Sequence, residues 1–258
     1  MQIATWNVNS LTVRLQQVLD WLQTNPVDVL CLQELKLSDD KFPVEALQAA
    51  GYQAAFMGQK TYNGVAILSR HALRDVTRNI TDFADDQARV VSATLDTAQG
   101  PLRVINGYFV NGQAPGSDKF AYKMRWLSAL HNQVRTELAA CPRLVVVGDF
   151  NVAPEDRDSF DPEGLRGTIH HTDEERGHFQ ALLALGLTDA FRLFEQPEKS
   201  YSWWDYRMLG FQKNRGLRID HILVSDALRP QVTACTIDRA PRKNPQPSDH
   251  TPVVVTLN

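Results

Sequence analysis

The 258-residue sequence has few cysteines, no excess of positive charge and no long hydrophobic run. Its length and its odd count of 3 cysteines exclude a small disulfide-stapled fold. Cys31 and Cys235 lie in apolar runs, which is typical of reduced thiols in a core. The 27 Lys and Arg against 30 Asp and Glu give a net charge of -3. No general affinity for polyanions is indicated, so any contact with nucleic acid must be local.

Targeting and membrane segments are also missing. The first residues lack the basic start and apolar stretch of an export signal, and no run approaches the roughly 20 apolar residues of a spanning helix. We therefore expect an unexported, cytoplasmic protein with no membrane partner. The apolar content of 43 % and charged content of 22 % are those of an ordinary globular chain. No low-complexity linker divides it, which predicts one domain over residues 1–258 and, by default, a monomer.

Short β-type runs alternate with helical patterns along the chain. The predicted strands are 3–7, 28–33, 64–69, 90–96, 102–108, 144–148, 218–225 and 252–257. Apolar residues at helical spacing predict helices over 11–22, 124–138 and 179–185. A capping box over 172–175 begins the third helix, and Gly186 ends it. This order predicts an α/β or α+β layered domain with sheets at its centre.

Five apolar runs lead into polar or acidic side chains. These are Asn7, Glu34, Tyr108, Asp149 with Asn151, and Asp249 with His250. One such group alone is normally a solvated loop residue, because burying an unpaired carboxylate is unfavourable. Five of them, with few bases beside them, favour one shared acidic cleft that binds a cation. Hard oxygen donors without Cys and His at zinc spacing favour Mg²⁺ or Mn²⁺.

A cation of this kind points to a phosphate ester substrate, because Mg²⁺ fills its coordination sphere with water and phosphate oxygens. Asp149 and Asn151 share one side of a strand end, so an acid and an amide can activate and orient water together. His250, with Asp220 fixing its tautomer, can donate to a phosphate oxygen. Tyr108 offers a phenolic hydrogen. The expected reaction is phosphoester hydrolysis.

Eight segments carry a family resemblance, weak singly but highly specific in this order. They are Trp6-Asn7-Val8-Asn9-Ser10, Leu32-Gln33-Glu34-Leu35-Lys36, Tyr62-Asn63-Gly64-Val65-Ala66, Asn106-Gly107-Tyr108, Gly148-Asp149-Phe150-Asn151, Tyr201-Ser202-Trp203-Trp204, Gly216-Leu217-Arg218-Ile219-Asp220 and Pro247-Ser248-Asp249-His250. From end to end the chain resembles the exodeoxyribonuclease III / AP endonuclease family, within the endonuclease/exonuclease/phosphatase superfamily. The resemblance implies a four-layer sandwich of two packed mixed β-sheets flanked by helices.

The resemblance also implies a site at one rim that cleaves DNA phosphodiesters with Mg²⁺, for which Mn²⁺ would substitute. By position, the metal ligands would be Asn7, Glu34 and Asp249, with Asp149 and Asn151 holding a second ion. The catalytic residues would be Tyr108, Asp149, Asn151, Asp220 and His250. The substrate-binding residues would be Asn111, His170, Trp203 and Arg218. The partner would be duplex DNA with 3′ ends, 3′-blocking groups or abasic sites.

Two departures from relatives bear on the dominant activity. Leu217 stands where some AP endonucleases have tryptophan, which leaves Trp203 as the main aromatic wall for an extruded sugar. The loop after Asn151 has Leu165 and Thr168 where some relatives have amide-rich residues. It ends in Ile169-His170-His171-Thr172, where a bulky imidazole would obstruct an abasic sugar. We therefore expect 3′-end processing to exceed abasic-site incision.

Other interpretations stay open at this point. His170, His171 and His178 are compatible with zinc but better explained as solvated, and the aromatic residues over 201–206 suit either a core or a DNA-stacking strip. Lys119, Lys123, Arg125, Arg215 and Arg218 are either ordinary surface charges or the cluster that holds the DNA backbone. A phosphatase or phosphodiesterase acting on another substrate, or an inactive DNA-binding relative, remains an alternative function.

Overall fold

The computed structural model describes residues 1–258 and contains four α-helices and fourteen β-strands, joined by loops and short 3₁₀ turns. The helices are α1 (Leu11–Thr24), α2 (Val44–Ala49), α3 (Asp118–Ala140) and α4 (Asp173–Leu183). The strands are β1 (Gln2–Asn7), β2 (Val29–Gln33), β3 (Gln53–Met57), β4 (Val65–Ser69), β5 (Leu73–Arg78), β6 (Val90–Thr97), β7 (Gly100–Tyr108), β8 (Leu144–Asp149), β9 (Leu187–Asp189), β10 (Trp203–Trp204), β11 (Gly216–Leu217), β12 (Asp220–Ser225), β13 (Val232–Ile237) and β14 (Val253–Leu257).

Twelve of the strands form two six-stranded mixed sheets. The first sheet has the order β13-β14-β1-β2-β4-β3 and the second has the order β5-β6-β7-β8-β12-β9, while β10 pairs with β11. Only β1 with β2 and β7 with β8 run parallel. The inner strands β2, β4, β8 and β12 are buried along their whole length, as expected of continuous Val, Ile and Leu runs covered on both faces.

Three apolar cores arrange these elements in four layers. The first core lies between the sheets, where Val29 and Val65 of the first sheet share it with Val104 and Val145 of the second. The second core packs α1 against the outer face of the first sheet. The third core packs α3 and α4 against the outer face of the second sheet. The predicted four-layer α/β sandwich is confirmed.

The helix ends follow local sequence signals. Thr172 and Glu175 form the predicted capping box at the start of α4, each side chain accepting the other's backbone N–H. α4 ends at Leu183, and the predicted terminator Gly186 lies in the turn beyond, with φ +94°. None of the helices has the length and apolar character needed to cross a membrane.

Edge strands are where the sequence prediction falls short. β3, β5 and β13 were not predicted, and β5 has four exposed residues among its six. An edge strand has one neighbour and a partly solvated face, so its sequence lacks the apolar run of an inner strand. The strand predicted over 218–225 begins two residues later in the structure, because Arg218 and Ile219 lie outside any strand and β12 starts at Asp220.

One rim of the molecule gathers the polar ends of neighbouring strands. β1 and β2 end at Asn7 and Gln33, which pair in register, and β7 and β8 end at Tyr108 and Asp149, which also pair. Asp220 begins the antiparallel strand β12 directly opposite Asp149. The strand ends predicted to converge therefore do so.

Candidate active site

The two sheets meet at this rim through a buried amide. Asn7 Nδ2 donates to Glu34 Oε1 at 2.8 Å and to Asp149 Oδ2 at 2.9 Å. Asn7 and Asp149 are buried, while the Glu34 side chain is 16 % exposed. Glu34 leaves β2 with φ 53°, a left-handed backbone that is costly for a residue with a Cβ and typical of functional sites. One side chain thus joins carboxylates that come from different sheets.

Two carboxylates face each other across the second sheet, with an imidazole between them. Asp149 pairs directly with Asp220, an arrangement in which like charges repel. His250 Nδ1 lies 2.8 Å from Asp220 Oδ2, and its Nε2 lies 3.6 Å from Asp149 Oδ2. Burial disfavours the imidazolium, but Asp220 and Asp149 outweigh it and raise the pKa of His250 to about 10. The ring is therefore cationic near neutral pH.

The rim is still short of positive charge. Burial raises the pKa of Asp149, and the charges of Asp220 and Glu34 act in the same direction. Ligand atoms of Glu34, Asp149 and His250 lie within 4.8 Å of one another. A cationic imidazole has no free lone pair for a metal, which leaves the carboxylate oxygens of Glu34 and Asp149 as donors. This donor set fits a hard divalent ion.

A turn, not strand alternation, brings Asn151 to the rim. β8 ends at Asp149, and Asn151 has φ 51° with its N–H donating to Asp149 Oδ1 at 3.0 Å, an Asx turn. Asn151 Nδ2 donates to the Phe109 carbonyl at 3.0 Å, and Asn111 Nδ2 donates to Asn151 Oδ1 at 3.3 Å. Asp149 and Asn151 are adjacent as predicted, but for a different physical reason.

A close backbone approach sets Tyr108 beside Asp149. Gly148 has φ +143°, and a Cβ on it would lie 1.9 Å from the carbonyl oxygen of Gly107, so only glycine fits between β7 and β8 here. Burial raises the pKa of Tyr108 well above its usual value, and the charges of Glu34 and Asp149 add to this. The phenol therefore stays protonated and is a hydrogen-bond donor.

A cleft of about 530 Å³ opens beside the rim. Its lining includes Phe160, Leu165, Thr168, His170, Trp203 and Leu217. Trp203 Nε1 donates to Asp249 Oδ2 at 2.9 Å, and Asn9 Nδ2 donates to Asp249 Oδ1 at 2.9 Å. Both oxygens of Asp249 thus accept from the protein, and Asp249 lies outside the group of converging ligand atoms. Its place among the metal ligands stays a prediction.

His170 forms one wall of the cleft. Its Nδ1 lies 2.7 Å from the Asn151 carbonyl oxygen, and its Nε2 lies 3.5 Å from Nδ2 of the exposed Asn111. A carbonyl only accepts hydrogen bonds, so we assign the ring proton to Nδ1. Burial lowers the pKa of His170, and the charge of Lys123 lowers it further. The ring is therefore neutral near pH 7.

The prediction that Arg218 binds DNA is wrong. Its side chain is 1 % exposed, and its guanidinium pairs with Asp158 at 2.7 Å and Asp189 at 2.8 Å. A guanidinium committed to two buried carboxylates is not available to a phosphate. Lys123 is likewise buried, in an ion pair with Glu175.

The other basic residues and histidines that the sequence singled out differ in how deeply they are buried. Lys119, Arg125 and Arg215 are exposed and remain candidates for backbone contacts. The three histidines do not converge as a metal site, since the converging group is the one at the rim. His171 is buried against Ser159 Oγ at 3.1 Å. Cys31 and Cys235 are free and buried, as predicted.

The sequence interpretation missed two side chains that touch the rim. Lys36 Nζ lies 2.9 Å from Glu34 Oε2, and it also donates to Asn9 Oδ1 at 2.5 Å. Asn9 and Lys36 lie inside segments that carry the family resemblance. Asn9 is two positions beyond Asn7, and Lys36 is two positions beyond Glu34. That spacing was the available signal, because a turn after a strand returns the second residue to the strand end.

Comparison with known proteins agrees with this geometry. Residues 4–250 match the Endonuclease/Exonuclease/phosphatase family. Exodeoxyribonuclease III of Haemophilus influenzae is 36 % identical over 262 residues, which cover 98 % of each chain.

Two structures of the Neisseria protein NExo cover 100 % of this chain. One, a 3′ phosphatase bound to a product DNA hairpin, has 48 % identity, a TM-score of 0.97 and 99 % of its own chain covered. The other, a 3′-5′ exonuclease from Neisseria meningitidis, has 49 % identity, a TM-score of 0.96 and 100 % covered. An AP endonuclease from Archaeoglobus fulgidus has 35 % identity and a TM-score of 0.94, with 100 % of this chain and 99 % of that chain covered.

The chain belongs to the endonuclease/exonuclease/phosphatase family. Within that family its relatives place it with exodeoxyribonuclease III and the AP endonucleases, as a hydrolytic nuclease. The predicted family and enzyme class are confirmed.

Proposed function

We propose that this chain is a Mg²⁺-dependent DNA repair nuclease that acts at the 3′ ends of duplex DNA, as a 3′→5′ exonuclease and a 3′-phosphatase. The observation that carries the proposal is the rim where Glu34 and Asp149 face the cationic His250. Carboxylate oxygens beside one buried cation suit a hard ion and a phosphate together. The names of the Neisseria structures supply the substrate class.

Glu34 would be the main ligand of the ion, with Asp249 nearby. Asn7, whose place among the metal ligands stays a prediction, would orient Glu34 and Asp149, since its amide already donates to both. When bound, the ion supplies positive charge that polarises the scissile phosphate, and Mn²⁺ would substitute because it also takes oxygen ligands. Asp149 with Asn151 would hold a second ion.

Asp149 and Asn151 would prepare the attacking water. The raised pKa of Asp149 brings this carboxylate toward neutral pH, where a general base is most effective. Asn151 is locked to Asp149 by the Asx turn, so its amide oxygen would orient the water while Asp149 accepts the proton.

Asp220, His250, Tyr108 and Asn111 would bind the phosphate. Asp220 holds the Nδ1 proton of His250, which leaves Nε2–H to donate to a phosphate oxygen or to protonate the leaving group. The protonated phenol of Tyr108 and the exposed amide of Asn111 would supply two further donors. Hydrogen-bond donors that are in place before the substrate binds would stabilise the charge that develops on the phosphate in the transition state.

We further propose that 3′-end processing exceeds abasic-site incision. The cleft beside the rim is narrowed by the His170 imidazole and lacks a second indole at Leu217, leaving Trp203 as its aromatic wall. The His170 ring lines the cleft and is held against the Asn151 carbonyl, so it would occupy space that an extruded sugar would enter. The protein would act in the cytoplasm as a single-domain monomer.

The experiment uses end-labelled duplexes that carry a 3′-phosphate, a plain 3′-hydroxyl or an internal abasic analogue. With Mg²⁺ we expect the first two to be processed faster than the third. EDTA should abolish all activity, and added Mg²⁺ or Mn²⁺ should restore it. An inositol phosphate and a single-stranded RNA serve as non-DNA substrates.

Each outcome decides one part of the proposal. Activity that survives full chelation contradicts the metal, and faster abasic incision contradicts the order of activities. Preference for a non-DNA substrate favours the phosphodiesterase alternative, while no hydrolysis of any substrate favours the inactive relative.

A further inference from the structure

A fully buried ion pair lies directly behind the cleft. Lys123 of α3 and Glu175 of α4 contact each other through Nζ and Oε1, and both side chains are 0 % exposed. Removing two charges from water is costly, and well-packed apolar residues are often as stable as a buried pair. Stability alone therefore does not explain this pair.

The lysine connects two loops of the candidate active site. Besides Glu175, Lys123 Nζ donates to the carbonyl oxygen of Asn151 at 2.8 Å and to that of Asn111 at 3.2 Å. An ammonium has three donors, and all three are used here. The loops after β7 and β8 are thus tied to one point on α3.

The glutamate connects the third loop. Glu175 Oε1 accepts from the backbone N–H of His170 at 3.1 Å, and Oε2 accepts from the N–H and Oγ1 of Thr172 at 3.1 and 2.8 Å. His170 Nδ1 in turn contacts the same Asn151 carbonyl oxygen that Lys123 binds. Ring and backbone of His170 are therefore both held by this pair and its partners.

We propose that Lys123 and Glu175 are positioning residues that hold His170 and Asn151 in the wall of the cleft and thereby set the selectivity between a terminal phosphate and an abasic sugar. The selectivity part rests on the proposed function, whereas the positioning part does not. Neither residue touches the rim carboxylates, so both act through the two loops. Without the pair, His170 would lose the hydrogen bond to its N–H and the fixed carbonyl that orients its ring.

A spectroscopic measurement tests the positioning directly. We expect ¹⁵N NMR of the wild-type chain to show the proton of His170 on Nδ1. In the charge-neutral variant Lys123→Met/Glu175→Leu, we expect a mixture of tautomers. A wild-type proton on Nε2, or an unchanged tautomer in the folded variant, overturns the proposal. Glu175→Gln, which keeps an oxygen for the His170 N–H but removes the charge, is the second variant if the first does not fold.

A kinetic measurement tests the selectivity. We expect the variant to raise the ratio of abasic incision to 3′-phosphatase activity by about tenfold, a smaller effect than the roughly 10²-fold that a 1 Å misplacement of a positioned group can have. The matched control is Arg103→Met/Glu137→Leu, which removes another ion pair of α3 away from the rim and should leave the ratio unchanged. An unchanged ratio in the cleft variant overturns the selectivity. If the wild-type chain cleaves no DNA, the proposed function fails while the NMR result still decides the positioning.

Discussion

Two buried charged clusters lie beside the ends of β8 and β12, and they differ in balance. The inner cluster, made of Asp158, Asp189, Arg192 and Arg218, has two carboxylates and two guanidinium groups paired with each other. The rim cluster, made of Glu34, Asp149, Asp220 and His250, has three carboxylates and one imidazole, and at its edge the partly exposed Lys36 pairs with Glu34, so the carboxylates still outnumber the cations. The inner cluster is complete within the chain, whereas the rim cluster calls for positive charge from outside.

Two histidines show the same contrast. His221 is buried beside Arg218, whose Nη1 donates to its Nδ1 at 3.0 Å. Burial, followed by the charge of Arg218, lowers the pKa of His221 to about 4. His250 is equally buried, yet Asp220 and Asp149 raise its pKa to about 10. Because both rings are equally buried, neighbouring charge accounts for the difference between their pKa values. A buried carboxylate in the inner cluster is neutralised by its arginine partners, whereas under the proposed function one at the rim would take part in chemistry.

The largest expected effect comes from a substitution that changes the rim cluster alone. Asp149→Asn removes the proposed base and should lower kcat by about 10²- to 10⁴-fold. It also removes one of two facing like charges, so the free energy of unfolding should stay unchanged or rise. Single-turnover kinetics and urea denaturation measure both quantities. Near-normal turnover, or a large loss of stability, would place Asp149 in the same class as Asp158.

A second substitution breaks the inner cluster. Arg218→Met leaves Asp158 and Asp189 buried without their main partner, which should lower the free energy of unfolding by about 3–5 kcal/mol. The kcat of the folded protein should change little, because the guanidinium does not reach the cleft. Urea denaturation and kinetics normalised to the folded fraction check this. A loss of DNA affinity without a loss of stability would restore the original substrate-binding prediction for Arg218.

The inner strands and the principal helices could be predicted from local sequence, because burial on one or both faces leaves an apolar pattern. The eight predicted runs include the inner strands β2, β4, β8 and β12. β5 and β13 could not be predicted, since each pairs with only one neighbour and neither has a continuous buried apolar run; four residues of β5 are exposed, and most of β13 is only partly buried or exposed. Whether such a segment forms a strand depends on its tertiary contacts and not on its local sequence.

The rim could be predicted because its residues sit where apolar strands end. The partners of buried bases could not, because they are distant in sequence. Arg218 is 60 residues from Asp158, and Lys123 is 52 residues from Glu175. A basic residue near a motif has the same appearance whether it meets DNA or a buried carboxylate. The Asx turn at Asn151 was likewise hidden by the simpler expectation of strand alternation.

The smallest expected effect concerns the pH dependence of stability near the inner cluster. The folded-state pKa of His221, about 4, lies below its unfolded value of about 6.5. Between these values the unfolded chain binds a proton that the folded chain does not, so stability falls as pH decreases. One such group contributes up to about 1.4 kcal/mol per pH unit.

His221→Gln should remove this slope and leave the rim unaffected. Glutamine has an acceptor for Arg218 and a donor for the Val152 carbonyl, which His221 Nε2 now contacts at 3.0 Å, but it does not titrate. Urea denaturation of both proteins from pH 7 to pH 4.5 should therefore show wild-type stability declining relative to the variant. His250 has the opposite sign, since its raised pKa makes its contribution greatest in acid and lost toward pH 10. Parallel pH curves for wild type and His221→Gln would mean that the two histidines do not differ in charge, which would remove the contrast between the clusters.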